Sequence, residues 1–148
     1  MIALIQRVSR ASVDINEKEV AAIGPGLMVL LGIQVDDSEK DARKLAQKTV
    51  SLRVFDDDNG DMNLNVKSLE GGVLIVPNFT LAADTSRGNR PGFSTAMPPK
   101  DAEPLFELFA TEIRELTKDV QTGVFGADMQ VSLVNDGPIT ISLETKNT

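Results

Sequence analysis

The 148-residue chain is 41% hydrophobic and 25% charged, which is the composition of a folded domain rather than of a disordered segment. Its 22 acidic residues outnumber its 15 Lys and Arg, and the net charge of −7 argues against binding along DNA or another long polyanion. His and Cys are absent, so Ser-His-Asp and Cys-His catalysis and the usual zinc sites are excluded.

The sequence contains no recognisable export or membrane signal. Its first residues lack the cationic start and long apolar stretch of a signal peptide. The longest apolar run, Leu27 to Ile33, is too short for a bilayer, which takes about 20 residues to cross. We therefore expect a cytoplasmic protein with a single domain over residues 1–148, no metal or other cofactor, and neither a membrane nor DNA as partner.

The first third of the chain predicts a run of strands. Residues Ile2 to Val8 form one candidate strand, and alternating apolar residues predict a second over positions 11–15. After a turn at positions 16–18, Glu19 to Ile23 completes a hairpin-like pattern. The segment from Leu27 to Ile33 is apolar on both faces, which predicts a central strand of the sheet.

A helix is predicted after this sheet segment. Ser38 is a suitable N-cap, and Asp41 occupies the position of the acidic partner in a capping box. The residues on its apolar stripe are Ala42, Leu45, Ala46 and Thr49. Leu52 to Phe55 predicts a return to strand, and Asp56 to Asp61 predicts a polar turn because its spacing does not fit a calcium loop.

The second half of the chain predicts one long loop and a second helix. The buried strand Val73 to Val76 leads into a loop over residues 82–100, a length that is usually functional or disordered. Asp101 is the predicted cap of the helix, with Pro104 in its first turn. The apolar stripe of this helix comprises Leu105, Phe109, Ile113 and Leu116.

Two strands are predicted near the C-terminus, at Met129 to Val134 and at Ile139 to Leu143, joined through a turn that contains Gly137 and Pro138. Many strands with two separated helices indicate an α+β domain. We expect a mainly antiparallel sheet with a barrel-like core and two principal helices.

The first candidate site follows the strand at Val73 to Val76 and has the sequence Pro77-Asn78-Phe79-Thr80-Leu81. Polar groups at the end of a rigid strand are well placed to form a site. The backbone N–H groups of Phe79 and Thr80 are candidates for an oxyanion hole, which would suffice for an activated ester. Thr80 is either a nucleophile without an evident base or only a hydrogen-bond donor.

The second candidate site is Asn135-Asp136-Gly137-Pro138-Ile139-Thr140, which also follows a strand. Carbonyl oxygens of a rigid Gly137-Pro138 segment are able to hold an ammonium group without a charged side chain. Arg87-Gly88-Asn89-Arg90 forms a basic cluster shortly after the first motif. This cluster is either a solvated loop or a contact with one end of a nucleic acid.

Several segments together resemble the bacterial-type D-aminoacyl-tRNA deacylases, also described as D-tyrosyl-tRNA deacylases. The similarity extends from one end of the chain to the other and is most specific in its combination of motifs. The segments that carry it are Met1 to Val8, Met62 to Val66, Phe79 to Thr85, Arg90 to Ser94 and Met129 to Pro138.

The resemblance implies a homodimer that hydrolyses the ester between a D-amino acid and the 3′ end of tRNA. It implies that the Gly137–Pro138 bond is cis and that this segment enters the partner's site, faces the α-amino group and excludes an L side chain. Glycine would also be accepted, and the 2′-hydroxyl of the terminal ribose would assist hydrolysis. Arg7 resembles the arginine that braces this segment, and Met129, in the last of these segments, is a candidate substrate-binding residue.

The sequence departs from the family at two positions of the first motif, where Pro77-Asn78 replaces the usual Ser-Gln. Pro77 removes one backbone donor, and Asn78 is one methylene shorter than Gln. Phe79 and Thr80 remain as candidate catalytic residues, and Pro77 and Asn78 as candidate substrate contacts. A deacylase of different specificity and a non-catalytic module that binds an RNA end or another ligand are the alternatives.

Overall fold

The computed structural model describes residues 1–147. Its strands are β1 (Ile2–Ile15), β2 (Lys18–Ile23), β3 (Gly26–Gly32), β4 (Phe55–Asp56), β5 (Met62–Leu64), β6 (Gly72–Pro77), β7 (Val120–Thr122) and β8 (Gln130–Glu144). Its α-helices are α1 (Glu39–Ser51) and α2 (Pro99–Leu116), and short 3-10 helices occupy Phe79–Ala82 and Thr145–Asn147. Within the described residues, no helix is long and apolar enough to span a membrane.

The main sheet is organised around β1. One edge of β1 pairs antiparallel first with β3 and then with β2, while β8 runs antiparallel along the whole of its other edge. The prediction of two separate strands over residues 2–15 is therefore wrong. The interruption in the apolar pattern is a local irregularity at Ser9, which has no partner in β8 although Val8 and Arg10 both do.

The other half of the sheet is parallel. Strand β6 lies between β3 and β7 and pairs in parallel with both, so the sheet is mixed in direction. Residues 72–76 of β6 are buried, and β3 has a hydrogen-bonded neighbour on each side, which confirms the buried strand before the first motif and the central strand at residues 27–33. The α+β fold with two principal helices and a nearly barrel-shaped sheet agrees with the sequence-based expectation.

The curl of the sheet requires close approach of backbones at two glycines. A Cβ built on Gly72 would lie 2.8 Å from Cβ of Ile23, because β2 folds over the start of β6. A Cβ on Gly26 would overlap the carbonyl oxygen of Gly72 in the adjacent parallel strand and would lie 2.7 Å from its carbonyl carbon. Only glycine permits this spacing between β3 and β6.

We expect Gly26→Ala to destabilise the protein by about 3 kcal/mol or more, because the obstructing atoms are backbone and cannot rotate away. Gly24→Ala is the matched control, since a Cβ at Gly24 meets no atom within 4 Å and should change stability by less than about 0.5 kcal/mol. Urea unfolding of both variants measures the difference. Equal midpoints would contradict the steric argument.

Both helices cover one face of the sheet and close the larger core. Ser38 caps α1 in a complete capping box with Asp41, as predicted. The predicted start of α2 is wrong by three residues: the N-cap is Pro98 rather than Asp101, the helix begins at Pro99, and Asp101 lies inside its first turn. Pro99 favours this start because its fixed φ suits the first helical position and its missing N–H has no helical acceptor there.

Residues 52–64 differ from the prediction at one point. Of the expected strand from Leu52 to Phe55, only Phe55 lies in a strand, and that strand, β4, pairs only with β5. Leu52 instead forms the C-cap of α1. The polar turn is present. Hydrogen bonds from the Asn63 side chain and from the backbone N–H groups of Asp61 and Asn59 hold the pKa of Asp57 below its ordinary value.

Candidate active site

A largely apolar cavity of about 770 Å³ opens beside the C-terminal ends of β3 and β6. The first motif forms one wall, and the segments that precede α2 and β8 form the others. Its lining includes Leu30, Leu31, Ile33, Val76, Pro77, Asn78, Phe79, Phe93, Ala96, Met97, Pro98, Pro99, Ala102, Phe125, Gly126, Ala127, Asp128, Met129 and Val131. Asp128 is the one ionisable side chain among these lining residues of the described chain.

Pro77 lies at the end of β6, where pairing with β7 stops. Successive residues of a parallel strand direct their N–H groups to opposite neighbours, and Asn78 N donates to Leu31 O of β3 at 2.8 Å. Pro77 therefore faces the β7 side. The ladder on that side ends with the bond from Gly123 N to Ile75 O at 2.9 Å, and Pro77, which has no N–H to continue it, lies where this pairing stops.

The hydroxyl of Thr80 forms a hydrogen bond with the side chain of Asn78 in the same motif. Thr80 Oγ1 donates to Asn78 Oδ1 at 2.5 Å, and Thr80 is exposed. A carboxamide oxygen is a hydrogen-bond acceptor but not a proton acceptor at neutral pH, so this bond orients the hydroxyl without activating it. The arrangement favours an orienting role for Thr80 over a nucleophilic one.

The two candidate amides lie at the start of the 3-10 helix Phe79–Ala82. Asn78 precedes this helix without forming a side-chain cap. Within residues 1–147, neither Phe79 N–H nor Thr80 N–H donates to a protein acceptor, whereas Leu81 N donates back to Asn78 O at 3.3 Å. Two adjacent free donors at the edge of a cavity are able to stabilise negative charge on one oxygen.

The mouth of the cavity carries an aromatic pair. The rings of Phe79 and Phe93 meet edge to face with centroids 5.1 Å apart, and both side chains are largely exposed. Phe93 follows a closed loop in which Asp84 and Gly92 exchange backbone hydrogen bonds of 2.8 and 2.9 Å. Hydrogen bonds from the Ser86 side chain and backbone hold the pKa of Asp84, at the base of this loop, below its ordinary value.

The second motif forms a bulge in the middle of β8. The prediction of two strands joined by a turn is wrong, because β8 continues antiparallel along β1 on both sides of the motif. Asn135 pairs with Val8 and Thr140 with Gln6, so residues 136–139 face the single residue Arg7 and none of them has a partner in β1. The Gly137–Pro138 peptide bond is cis, as the resemblance implies.

Arg7 holds this bulge against the body of its own chain. Its Nε donates to Asp136 O at 3.2 Å and lies 3.3 Å from Asp136 Oδ2, while Nη1 donates to Val54 O at 2.9 Å. Nη1 also lies 3.7 Å from Asp56 Oδ1. The Arg7 side chain is only 11% exposed, whereas Gly137 and Pro138 are exposed. The bulge is therefore a fixed projection.

A single chain brings only part of the predicted site together. Pro77, Asn78, Phe79 and Met129 line the cavity, and Thr80 adjoins it. Gly137 and Pro138 do not line it, and neither does Arg7. The two motifs are separated by the length of β3, because Arg7 pairs with Leu27 near its start and Pro77 with Leu31 near its end, about 13 Å further along the strand.

Three further lining residues have no counterpart among the predicted site residues. Phe93 lies in one of the segments that carry the family resemblance, but its position against Phe79 depends on the closed loop before it. Phe125 and Asp128 belong to a stretch without regular pattern, which predicts a loop and nothing more. Among residues 1–147, no group of three or more acidic side chains is arranged to hold a metal ion.

Comparison with known proteins gives a consistent result. Residues 4–144 match the family described as D-Tyr-tRNA(Tyr) deacylase. A protein of Enterobacter sp. (strain 638) named D-aminoacyl-tRNA deacylase is 54% identical over 144 residues, which cover 97% of this chain and 99% of the relative. A protein of the same name from Xanthomonas axonopodis pv. citri (strain 306) is 55% identical over the same shares.

A solved structure extends the similarity to three dimensions. The c-Myc DNA Unwinding Element Binding Protein superposes with a TM-score of 0.93 at 40% identity, covering 97% of this chain and 98% of that one. The fold described above is therefore shared over nearly the whole of both chains.

Proposed function

Because the chain belongs to the D-aminoacyl-tRNA deacylase family and is a hydrolase of the aminoacyl-tRNA ester, we propose that two copies of it build each active site together. The cavity and first motif of one protomer receive the ester, and the Gly137-Pro138 bulge of the other closes over the amino acid. The observation that carries this proposal is the separation of the two motifs within one chain.

The fixed projection of the bulge supports a role outside its own chain. Residues 136–139 leave the sheet ladder, and Arg7 secures Asp136 to the core, so the adjoining Gly137 and Pro138 are presented to solvent on a rigid base. In a two-fold dimer each protomer would offer the same projection to the other's cavity. The carbonyl oxygens of Gly137 and Pro138 would face the α-ammonium group, and their backbone would fill the space that an L side chain needs.

Selection would then depend on a steric wall rather than on a pocket shaped for one side chain. Backbone atoms exclude the L configuration by clash, while a D side chain would point away from this wall. Varied D-amino acids are expected to react at similar rates. Glycine has no side chain to clash, so glycyl-tRNA is also expected to be a substrate.

The chemistry would be assisted by the RNA itself. The amides of Phe79 and Thr80 would bind the developing oxyanion. The Thr80 hydroxyl already donates a hydrogen bond to Asn78 Oδ1. The family resemblance implies that the 2′-hydroxyl of the terminal ribose aids attack of water on the ester, and Asp128 is the one ionisable group lining the cavity in the described chain. The reaction would take place in the cytoplasm and use no bound cofactor.

A deacylation assay with D-, L- and glycyl-tRNA tests this proposal. We expect rapid loss of the D-amino acid and of glycine, with no measurable loss of the L-amino acid. Hydrolysis of L-aminoacyl-tRNA at a comparable rate would instead favour a deacylase of different specificity. Binding without turnover of any of the three would favour a non-catalytic RNA-end module.

Light scattering tests the shared site. The expected mass is twice 15.9 kDa at micromolar concentration, and activity per chain should fall as dilution separates the protomers. A monomer with full activity would contradict the contribution of a second chain while leaving the deacylase assignment intact.

Thr80→Ala is expected to retain activity within about tenfold of the unmodified enzyme, because Thr80 orients the motif and does not attack the ester. Single-turnover deacylation of D-aminoacyl-tRNA measures the effect. A loss of several powers of ten, or an acyl group trapped on Thr80, would show that the hydroxyl is the nucleophile.

A further inference from the structure

The loop beside the cavity mouth has a charge opposite to that of the protein. Residues 85–100 contain Arg87, Arg90 and Lys100 and no acidic residue, although the whole chain carries a net charge of −7. Arg87 and Arg90 are exposed. Within residues 1–147, neither guanidinium forms an ion pair or a hydrogen bond, so both are available to a ligand.

The loop holds these two arginines at a defined place. Its base is closed by the paired backbone hydrogen bonds between Asp84 and Gly92. One strand of the base continues from the 3-10 helix, where Ala83 N donates to Thr80 O at 3.2 Å, and the other leads directly into Phe93. The loop that carries Arg87 and Arg90 therefore begins and ends beside residues of the cavity rim.

From this position we propose that Arg87 and Arg90 bind phosphates of the RNA strand whose terminal ribose lies in the site, an inference that rests on the proposed function. If the ester lies against the amides of Phe79 and Thr80, the nucleotides before the terminal adenosine must leave the cavity across its rim. The closed loop forms one side of that exit. Guanidinium groups bind phosphate oxygens in bidentate fashion, which makes arginine suited to this contact.

The net negative charge of the protein affects which part of a tRNA it would bind. A protein of net charge −7 repels most of a tRNA, so a local pair of cations is needed to favour docking of the 3′ end over docking of the body of the RNA. Affinity would come from a few phosphates near the end of the strand. The surface would thus recognise an RNA terminus in general and would not distinguish one tRNA body from another.

The test compares two substrates that differ in their phosphates. One is a complete D-aminoacyl-tRNA, and the other is the same D-amino acid esterified to the 3′-hydroxyl of adenosine, which carries no phosphate. For the double variant Arg87→Ala with Arg90→Ala, we expect kcat/KM on the tRNA to fall about tenfold, mainly through KM, and kcat/KM on the adenosine ester to stay unchanged.

Salt dependence gives a readout that a merely structural role would not change. Loss of two phosphate contacts with single-stranded RNA should reduce the magnitude of the slope of log(kcat/KM) against log salt concentration by about 1.4 for the tRNA substrate. The Arg87→Lys with Arg90→Lys variant keeps the charges and should recover most of the slope. Lys118→Ala is a control for loss of one cation elsewhere on the surface, because Lys118 is exposed before β7 and lies toward the opposite end of β6 from Pro77.

The outcomes distinguish failure of the phosphate contact from failure of the proposed deacylase function. If the double variant has the slope and kcat/KM of the unmodified enzyme on tRNA, or loses activity equally on both substrates, the phosphate contact is overturned while the deacylase activity stands. If the unmodified enzyme cleaves neither substrate, the proposed function fails. In that case the phosphate contact is tested by binding of an RNA oligonucleotide with the tRNA 3′ sequence. Equal affinity of the unmodified protein and the double variant would overturn the contact, and weaker binding by the variant would support it.

Discussion

Replacing Gly137 by alanine is expected to lower kcat/KM for D-aminoacyl-tRNA about 100-fold. Gly137 has φ of +126°, a conformation that disfavours any Cβ. The added atom would also lie 3.0 Å from the backbone N and from Cγ1 of Ile139, and 3.3 Å from Nη2 of Arg7. Relief of these contacts must move the carbonyl oxygens that are proposed to face the substrate in the partner protomer.

Gly60→Ala is the matched control for this substitution. Gly60 also has positive φ, +82°, but a Cβ there meets no atom within 4 Å, and Gly60 belongs to neither motif. The two variants share backbone strain and differ in what surrounds the glycine. Single-turnover assays with the dimer verified by light scattering measure the difference, and equal activity of the two variants would contradict a role for Gly137 in the site.

A substrate that lacks the 2′-hydroxyl of its terminal ribose is expected to react about 10²- to 10⁴-fold more slowly, the usual contribution of a positioned acid-base group. The reason is the assistance by the RNA that the family resemblance implies; in the site itself Thr80 Oγ1 donates to Asn78 Oδ1, and Asp128 is the one ionisable lining group of the described residues. The assay uses D-aminoacyl-tRNA ending in 2′-deoxyadenosine at saturating enzyme. An unchanged rate would point to a base on the protein.

Affinity measurements complete that experiment. The deoxy substrate should compete with the natural one at similar concentration if the 2′-hydroxyl acts mainly in the transition state. Much weaker competition would assign the hydroxyl to binding rather than to catalysis.

The sequence predicts those parts of the fold that depend on local pattern. The run Val73 to Val76 is apolar at every position, so a buried strand is the natural interpretation, and β6 confirms it. The Ser38 capping box is similarly local. In contrast, the continuity of β1 and β8 depends on which strands pair across the sheet, and a bulge and a turn have the same sequence signature when their partner is unknown.

The same distinction between local pattern and contacts across the fold applies to the candidate site. The first motif is recognisable because polar residues end a buried strand, but the position of Pro77 at the end of the β6–β7 pairing depends on which strand lies beside β6. Phe93 becomes a neighbour of Phe79 through a loop closed by backbone bonds that any residues at those positions are able to make. Three-dimensional proximity of this kind has no signal in a single sequence.

The anchoring of the bulge by Arg7 within its own chain has a consequence for mixed dimers. If each site takes its amide donors from one protomer and its Gly137-Pro138 wall from the other, two impaired variants should restore each other's activity. A Gly137→Ala chain paired with a Phe79→Pro chain, which lacks one amide donor, would form one site with both defects and one with neither. Mixing the two variants under exchange conditions should restore activity that neither has alone, as in complementation between two alleles of one gene.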